Sequence, residues 1–253
     1  MKNCILYVSL GLLVQACGGG GSSAVSTNFT TMTVFSDGAG VARMSNSSGG
    51  EGYYIAPNIV ADVAASNASS EPITAVNILD YPIMSVSNGY NLRQGTLSSG
   101  GVSMNVVLAE KIGSQEASIA YVYNNSSDAI ASFARNYSSA PTGTHTYNGM
   151  HIAGGRYTSF AEIGTLSLTA NFSNNTFSIN GSTSNSSLSG TGYIDASTGR
   201  ISSGNLTFVS PDSTSYSATT LGNLSGSTAS DVSGVYYTND SNPDYAGAYA
   251  GSR

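Results

Sequence analysis

The chain has 253 residues, of which 9% are charged, with 8 Lys and Arg against 14 Asp and Glu, no Trp, two His and two Cys. A formal charge of −6 supplies no basic footprint for nucleic acid, and two cysteines, one of them inside an apolar run, cannot build a disulfide framework or a thiolate metal cage. The excess of Ser, Thr, Asn and Gly, with 16 Tyr and 7 Phe, fits an all-β protein whose turns consume Gly and Asn and whose solvent faces carry hydroxyls; the aromatic content and regular alternation argue against disorder.

The first element is a leader. Lys2 precedes an uncharged apolar segment from Cys4 to Val14, too short to cross a bilayer, and Ala16 is the small residue a signal peptidase needs. Val14-Gln15-Ala16-Cys17 resembles the bacterial lipobox, whose cysteine becomes a diacylglyceryl thioether; Val14 stands where Leu is usual. The competing reading is an ordinary secretory signal cut near Ala16, which leaves Cys17 as an unpaired thiol in an oxidising compartment. Residues 1–16 are thus expected to be a signal peptide and 17–30 a lipidated cysteine with a tether, since Gly18 to Ser23 behave as flexible coil. Loss of Lys2 takes the formal charge to about −7. With Gly rather than Asp at the second mature position, the lipoprotein resemblance implies the outer membrane.

Residues 31–140 read as a β-rich, handle-like domain. Candidate strands are Met32 to Phe35, Gly52 to Ile55, Ile73 to Leu79, Ile83 to Val86, Val102 to Leu108 and Ala117 to Tyr123, separated by turn sequences such as SDGAG, NSSGGEG, SNGYN, SSGG and NNSSD. "DAIASFARNY", Asp128 to Tyr137, is a short helix or a strand.

Residues 141–253 are more regular. Strands are expected at Gly143 to His151, Gly164 to Phe172, Thr176 to Ser182, Ser189 to Asp195, Ser203 to Val209, Ser215 to Thr220, Gly234 to Tyr237 and Tyr245 to Ala250, with Asn223 to Ser227 a short extra. Leu166, Leu168, Ala170 and Phe172 share one face, and Phe177, Ile179, Leu206 and Phe208 continue it. Eight antiparallel strands in this length suit a closed barrel, which leaves no edge exposed. Alternation alone does not say which face is inside. A soluble barrel is favoured over a membrane-spanning one because a lipid anchor is redundant on a spanning barrel, several strands are short for crossing, and the chain ends in AGSR rather than an aromatic residue.

No catalytic constellation or metal site is read, and no G-x-S-x-G elbow occurs. His145 and His151 lie six residues apart on one strand face, roughly 20 Å, too far to ligate one ion; His151 as a haem ligand is weighed against a polar exterior residue. "GEGYY" at 50–54 and "AGGRY" at 153–157 read as turns rather than phosphate loops. "NDSNPD" at 239–244 lacks the hinge glycine and bidentate glutamate of a calcium loop. The Asn-x-Ser/Thr sequons follow from composition and receive no function.

"CGGGGSS", "FSDGAGVAR" at 35–43, "PTGTHTYNGM" at 141–150, "GTLSLTANFSNNTFSING" at 164–181 and "GVYYTNDSNPDYAGAYAG" at 234–251 resemble the transferrin-binding protein B-like lipoproteins. The resemblance implies a surface lipoprotein of a Gram-negative outer membrane with an eight-stranded barrel beside a β-rich handle. It implies a ligand that is a host or environmental protein or haem, and an outer-membrane receptor or surface-lipoprotein translocator as a partner. This chain has room for one lobe, whereas transferrin capture belongs to two-lobed members. The alternative is a structural or shielding lipoprotein with no dedicated ligand. If a ligand binds, the connection 152–164 is the expected place: it carries Arg156, Tyr157 and Phe160 in a chain with few cations, and Arg and Tyr dominate binding energy. The bland reading has Arg156 capping a hairpin while Tyr157 and Phe160 begin a strand and pack inward.

Overall fold

In a computed structural model, residues 81–99, 102–112, 117–123, 128–134, 137–155, 161–239 and 245–253 are described, with backbone strands at 11–12, 33–36, 41–45, 51–55 and 75–76. The lipobox cysteine Cys17, the glycine tether and loop residues Arg156, Tyr157 and Phe160 lie outside the described residues.

Every described regular element is a strand. The first set comprises β1 (Gly11–Leu12), β2 (Thr33–Ser36), β3 (Val41–Ser45), β4 (Glu51–Ile55), β5 (Ala75–Val76), β6 (Ile83–Ser87), β7 (Tyr90–Ser99), β8 (Val102–Lys111), β9 (Ala117–Tyr123) and β10 (Asp128–Ala134). The second comprises β11 (Thr144–Gly155), β12 (Ala161–Asn171), β13 (Thr176–Ser182), β14 (Ser187–Asp195), β15 (Arg200–Val209), β16 (Ser215–Ser225), β17 (Asp231–Thr238) and β18 (Tyr245–Ser252). Apart from a two-residue parallel pairing of β1 with β5, the first set forms one antiparallel sheet in the order β2-β3-β4-β10-β9-β8-β7-β6. The second closes on itself as an eight-stranded up-and-down barrel, β18 pairing back to β11 from Asn148↔Ser252 to Gly155↔Tyr245. "DAIASFARNY" is a strand over its first seven residues, and the short extra at Asn223 to Ser227 is largely the end of β16.

Apolar residues face the barrel interior. Tyr147, Leu166, Leu168, Ala170, Phe177, Ile179, Leu188, Ile194, Ile201, Leu206, Phe208, Tyr236 and Tyr249 are all buried in one cluster, while Ser, Thr and Asn alternate outward along β12 to β15. This is the reverse of a lipid-spanning barrel, which is apolar outside and polar within. Along β15, Ile201 and Leu206 have opposite parity yet both point inward. A bulge between Ser202 and Leu206 inserts the extra residue that restores the pattern.

The sheet packs against one side of the barrel. Tyr90, Leu92, Val107, Ala109, Ile119, Tyr121 and Ile130 bury themselves against Met150 and Ile152 of β11, Val235 of β17 and Ala246, Ala248 and Ala250 of β18. Small residues on β18 let the two layers approach. Gly154 of β11 is also required there, because a Cβ at that position would lie 2.2 Å from the Tyr121 ring. "AGGRY", expected as a turn, is therefore strand through Gly155, and "GEGYY" is strand from Glu51 onward.

Candidate functional site

Alternating strand directions gather the β11–β12, β13–β14, β15–β16 and β17–β18 connections at one end of the barrel. The expected binding residues Arg156, Tyr157 and Phe160 belong to the first of these connections, between Gly155 and Ala161. The described part of the following strand runs from Ala161 to Asn171, and whether Tyr157 and Phe160 pack inward or face a ligand lies outside the described residues.

The described neighbours of that connection form a pinned polar rim. Glu162, the second residue of β12, accepts hydrogen bonds from Asn185 Nδ2 at 2.6 Å, Ser186 Oγ at 2.8 Å and Thr183 Oγ1. Burial alone would raise its pKa; the hydroxyl and amide donors outweigh that and hold the carboxyl below its ordinary value. A fixed negative charge thus sits at the start of β12. The β15–β16 turn is tied by Asp212, which accepts from Thr214 N at 3.2 Å and from Ser210 Oγ, and Ser213 takes a left-handed backbone, φ 65°. Before the β17–β18 connection, Asn239 receives Thr219 Oγ1 at 2.6 Å and donates to Ser217 Oγ at 3.1 Å.

Beneath the rim the barrel is filled with rings. Phe208 lies 5.2 Å from Tyr245 and 5.7 Å from Tyr236, and Tyr216 lies 5.3 Å from Tyr245, centroid to centroid. Such tilted aromatic packing adds to the area each ring buries, and it makes this end of the barrel a plug under the loops.

His151 is part of the same interior. The expectation of a polar exterior residue is overturned: it is fully buried, Nε2 lies 2.8 Å from the Tyr236 hydroxyl, and the ring stands against Gly181, where a Cβ would come within 2.9 Å of Nδ1. Burial drives the imidazole down to about 4, partly opposed by the Glu162 charge, and pushes the Tyr236 phenol well above its ordinary value. The pair is a neutral hydrogen bond inside the core. A haem ligand needs a ring nitrogen with room for the iron and its macrocycle in front of it, and the fully buried His151, with Nε2 on Tyr236 and Nδ1 against Gly181, has no such room. His145 does share the inward-facing parity, but at the other end of the barrel, where Nδ1 accepts from Arg253 at 3.0 Å and Nε2–H donates to the Thr142 carbonyl at 2.9 Å. Among the described residues, no three or more His, Cys, Asp or Glu side chains come together to hold a metal ion.

Two arrangements escape sequence reasoning. The Glu162 cluster joins residues more than twenty apart, and the only local cue is the Thr183-Ser184-Asn185-Ser186 turn. The second is an ion pair between Lys111 of β8 and Asp231 of β17, with Nζ–Oδ1 at 2.5 Å.

A closed aromatic-filled barrel flanked by an antiparallel sheet matches known structures. A double mutant of transferrin-binding protein B from Haemophilus parasuis Hp5 superposes with a TM-score of 0.54 over 84% of this chain and 47% of its own length, at 14% identity. The fold is that of transferrin-binding protein B. Intact Ap-TbpB, with its N and C lobes, matches at a TM-score of 0.50 over 83% of this chain and 48% of its own, at 10% identity. This chain spans about half the length of these transferrin-binding protein B structures. No family model matches the sequence, and no curated protein matches it significantly.

Proposed function

We propose that this chain is a non-catalytic lipoprotein of the outer-membrane surface that captures a macromolecular ligand or iron source at the β11–β12 end of its barrel. In this reading Cys17 carries the lipid and residues 17–30 are the tether. Residues 31–140 then support a barrel domain, 141–253, whose loop residues Arg156, Tyr157 and Phe160 face the ligand. The observation that supports it most is the fold shared with transferrin-binding protein B, a protein named for transferrin binding. Physical support comes from the barrel end itself, where a ring-filled plug and hydrogen-bonded turns lie at the same end as the connection whose sequence contains Arg156, and rigid scaffolds that present variable loops are where binding concentrates.

The test uses the lipid-free mature protein on a sensor surface with purified transferrin, haemoglobin and haem, and a pull-down from host serum. Capture that weakens by at least about 2 kcal/mol, roughly thirtyfold, in Arg156→Ala/Tyr157→Ala with an unchanged melting temperature supports the reading. Absence of capture from every source favours a shielding lipoprotein. For the anchor, Cys17→Ala should release the protein from membranes and abolish incorporation of labelled fatty acid; continued membrane association of the variant overturns it.

A further inference from the structure

The outward wall of β11 to β15 carries a second, separate feature. Cross-strand register aligns Thr144, Asn171, Thr176 and Tyr193 in one row, and Thr146, Thr169, Ser178, Thr191 and Asn205 in the next. Adjacent strands lie about 4.8 Å apart and same-face neighbours along a strand about 7 Å, so the two rows form a regular lattice of hydroxyls and amides. The rows border an open groove of about 440 Å³ whose floor includes Gly192 and Phe177.

The groove has a structural origin. Where β14 meets β15, Thr191 pairs with Asn205 and Gly192 with Ser203, leaving Gly204 as the extra residue of the bulge. A bulge bends and twists its strand, and Gly204 has no side chain to fill the bend. The Tyr193 ring lies over it: a Cβ on Gly204 would be 3.3 Å from Tyr193 Cε2. Yet Tyr193 remains 61% exposed, so it is a ring propped on a glycine with much of its surface open to solvent. Among the described residues, the side chains of Asn205, Thr191, Ser178 and Thr144 make no hydrogen bond within the chain.

The lining contains no charged side chain, so an ionic ligand would find no counter-charge there. Its apolar surface is somewhat larger than its polar surface, but it is interleaved with the hydroxyls and amides of the two rows, so a purely apolar ligand would have to bury those polar groups unpaired. The lining offers groups that both donate and accept, a primary amide able to bridge two neighbouring hydroxyls, and an aromatic face able to pack against aliphatic C–H groups. We propose that this groove is a binding site for a neutral saccharide, with Tyr193 as the stacking platform and Asn205, Thr191 and Ser178 as the hydroxyl-reading groups. It is distinct from the loop end of the barrel and does not depend on what binds there.

The test is a glycan array carrying neutral oligosaccharides beside sialylated and sulfated ones, probed with the intact mature protein, followed by saturation-transfer NMR with the strongest neutral member. The expected result is binding confined to neutral glycans, with saturation transferred from a tyrosine ring, and loss of about tenfold or more in affinity in Tyr193→Ala and separately in Asn205→Ala. Tyr193→Phe, which keeps the ring over Gly204, should retain binding; it also serves if Tyr193→Ala folds poorly. Absence of binding to every neutral glycan at millimolar concentration overturns the proposal. So does a preference for anionic glycans, or neutral binding that survives both alanine variants. A protein ligand that protects this wall while no saccharide binds would likewise overturn it.

Discussion

Lys111 and Asp231 connect the sheet to the barrel through an ion pair in which the Asp231 carboxylate has no exposed surface. The carboxylate also accepts from Ser252 Oγ at 2.7 Å and Ser230 Oγ at 2.6 Å, and Ser252 Oγ lies 3.1 Å from the Tyr90 hydroxyl of β7. Removal of the ammonium leaves a buried charge with only hydroxyl partners. Lys111→Met is therefore expected to cost about 3 kcal/mol. Lys111→Met combined with Asp231→Asn should recover part of the loss, and a double-mutant cycle by urea unfolding measures the coupling. Additive effects of the two substitutions would show that the pair contributes nothing across the interface.

The wall of the barrel under the sheet gives a prediction whose outcome depends on context. Ile152 points outward from β11 and has no exposed surface because the sheet covers it. In the intact chain Ile152→Ala should cost about 2–5 kcal/mol. In a fragment comprising residues 140–253 the same side chain faces water, so the substitution should leave stability nearly unchanged and reduce self-association. The fragment itself closes its strand ladder but exposes Met150, Ile152, Val235, Ala246, Ala248 and Ala250 together. It is expected to fold as a barrel and to associate, measured by circular dichroism and sedimentation.

Inside the barrel the two candidate aromatic positions separate by depth. Phe208 is 1% exposed in the centre of the ring cluster, whereas Phe172 follows the end of β12 and is partly buried. Phe208→Ala should cost about 3–5 kcal/mol and Phe172→Ala clearly less, read from denaturant midpoints at constant m-value. Equal losses would contradict the burial difference.

His151 predicts a pH dependence. Burial lowers its imidazole pKa to about 4 in the folded chain, below its ordinary value of 6.5, so between these values the unfolded chain binds the extra proton. Stability then rises with pH across that window and falls as pH drops from about 6.5 toward 4, by about 3 kcal/mol in total. Carboxylates with depressed values, Glu162, Asp195 and Asp212, lose their contribution only at lower pH, below their ordinary values near 4. His151→Gln, which can keep the Tyr236 hydrogen bond, should flatten the upper window. An unchanged slope in the variant would place the acid sensitivity elsewhere.

Period-two alternation with Asn and Gly turns was sufficient to place Thr176–Ser182 to the residue and to put Leu166, Leu168, Phe177 and Phe208 on one shared face, but not to say that this face points inward. Reading failed where glycine serves packing rather than turning. Gly154 extends β11 because it admits the Tyr121 ring. Gly95 lies in β7, a strand absent from the sequence reading, because a Cβ there would be 2.2 Å from the Tyr81 ring. Polar residues inside the fold misled for a related reason. His151 alternates in phase with apolar neighbours, and its partner Tyr236 lies 85 residues away, beyond any local pattern. The groove at Tyr193 depends on a one-residue bulge opposite Gly204, and strand periodicity carries no trace of a residue that pairs with nothing.

Closure of the barrel by β18 against β11 has a kinetic consequence. Asn148 and Ser252 become neighbours across roughly a hundred residues, and contacts of such separation must overcome the loop-closure entropy of everything between them before they contribute. The same two strands, with β17, present the surface on which the sheet rests. The sheet's Tyr90, Val107 and Ile119 therefore have nothing complete to dock on until β18 is in place, and both halves wait on that one strand. Refolding should accordingly fall in the slow class typical of β-topologies, milliseconds to seconds, with sheet docking as a late event.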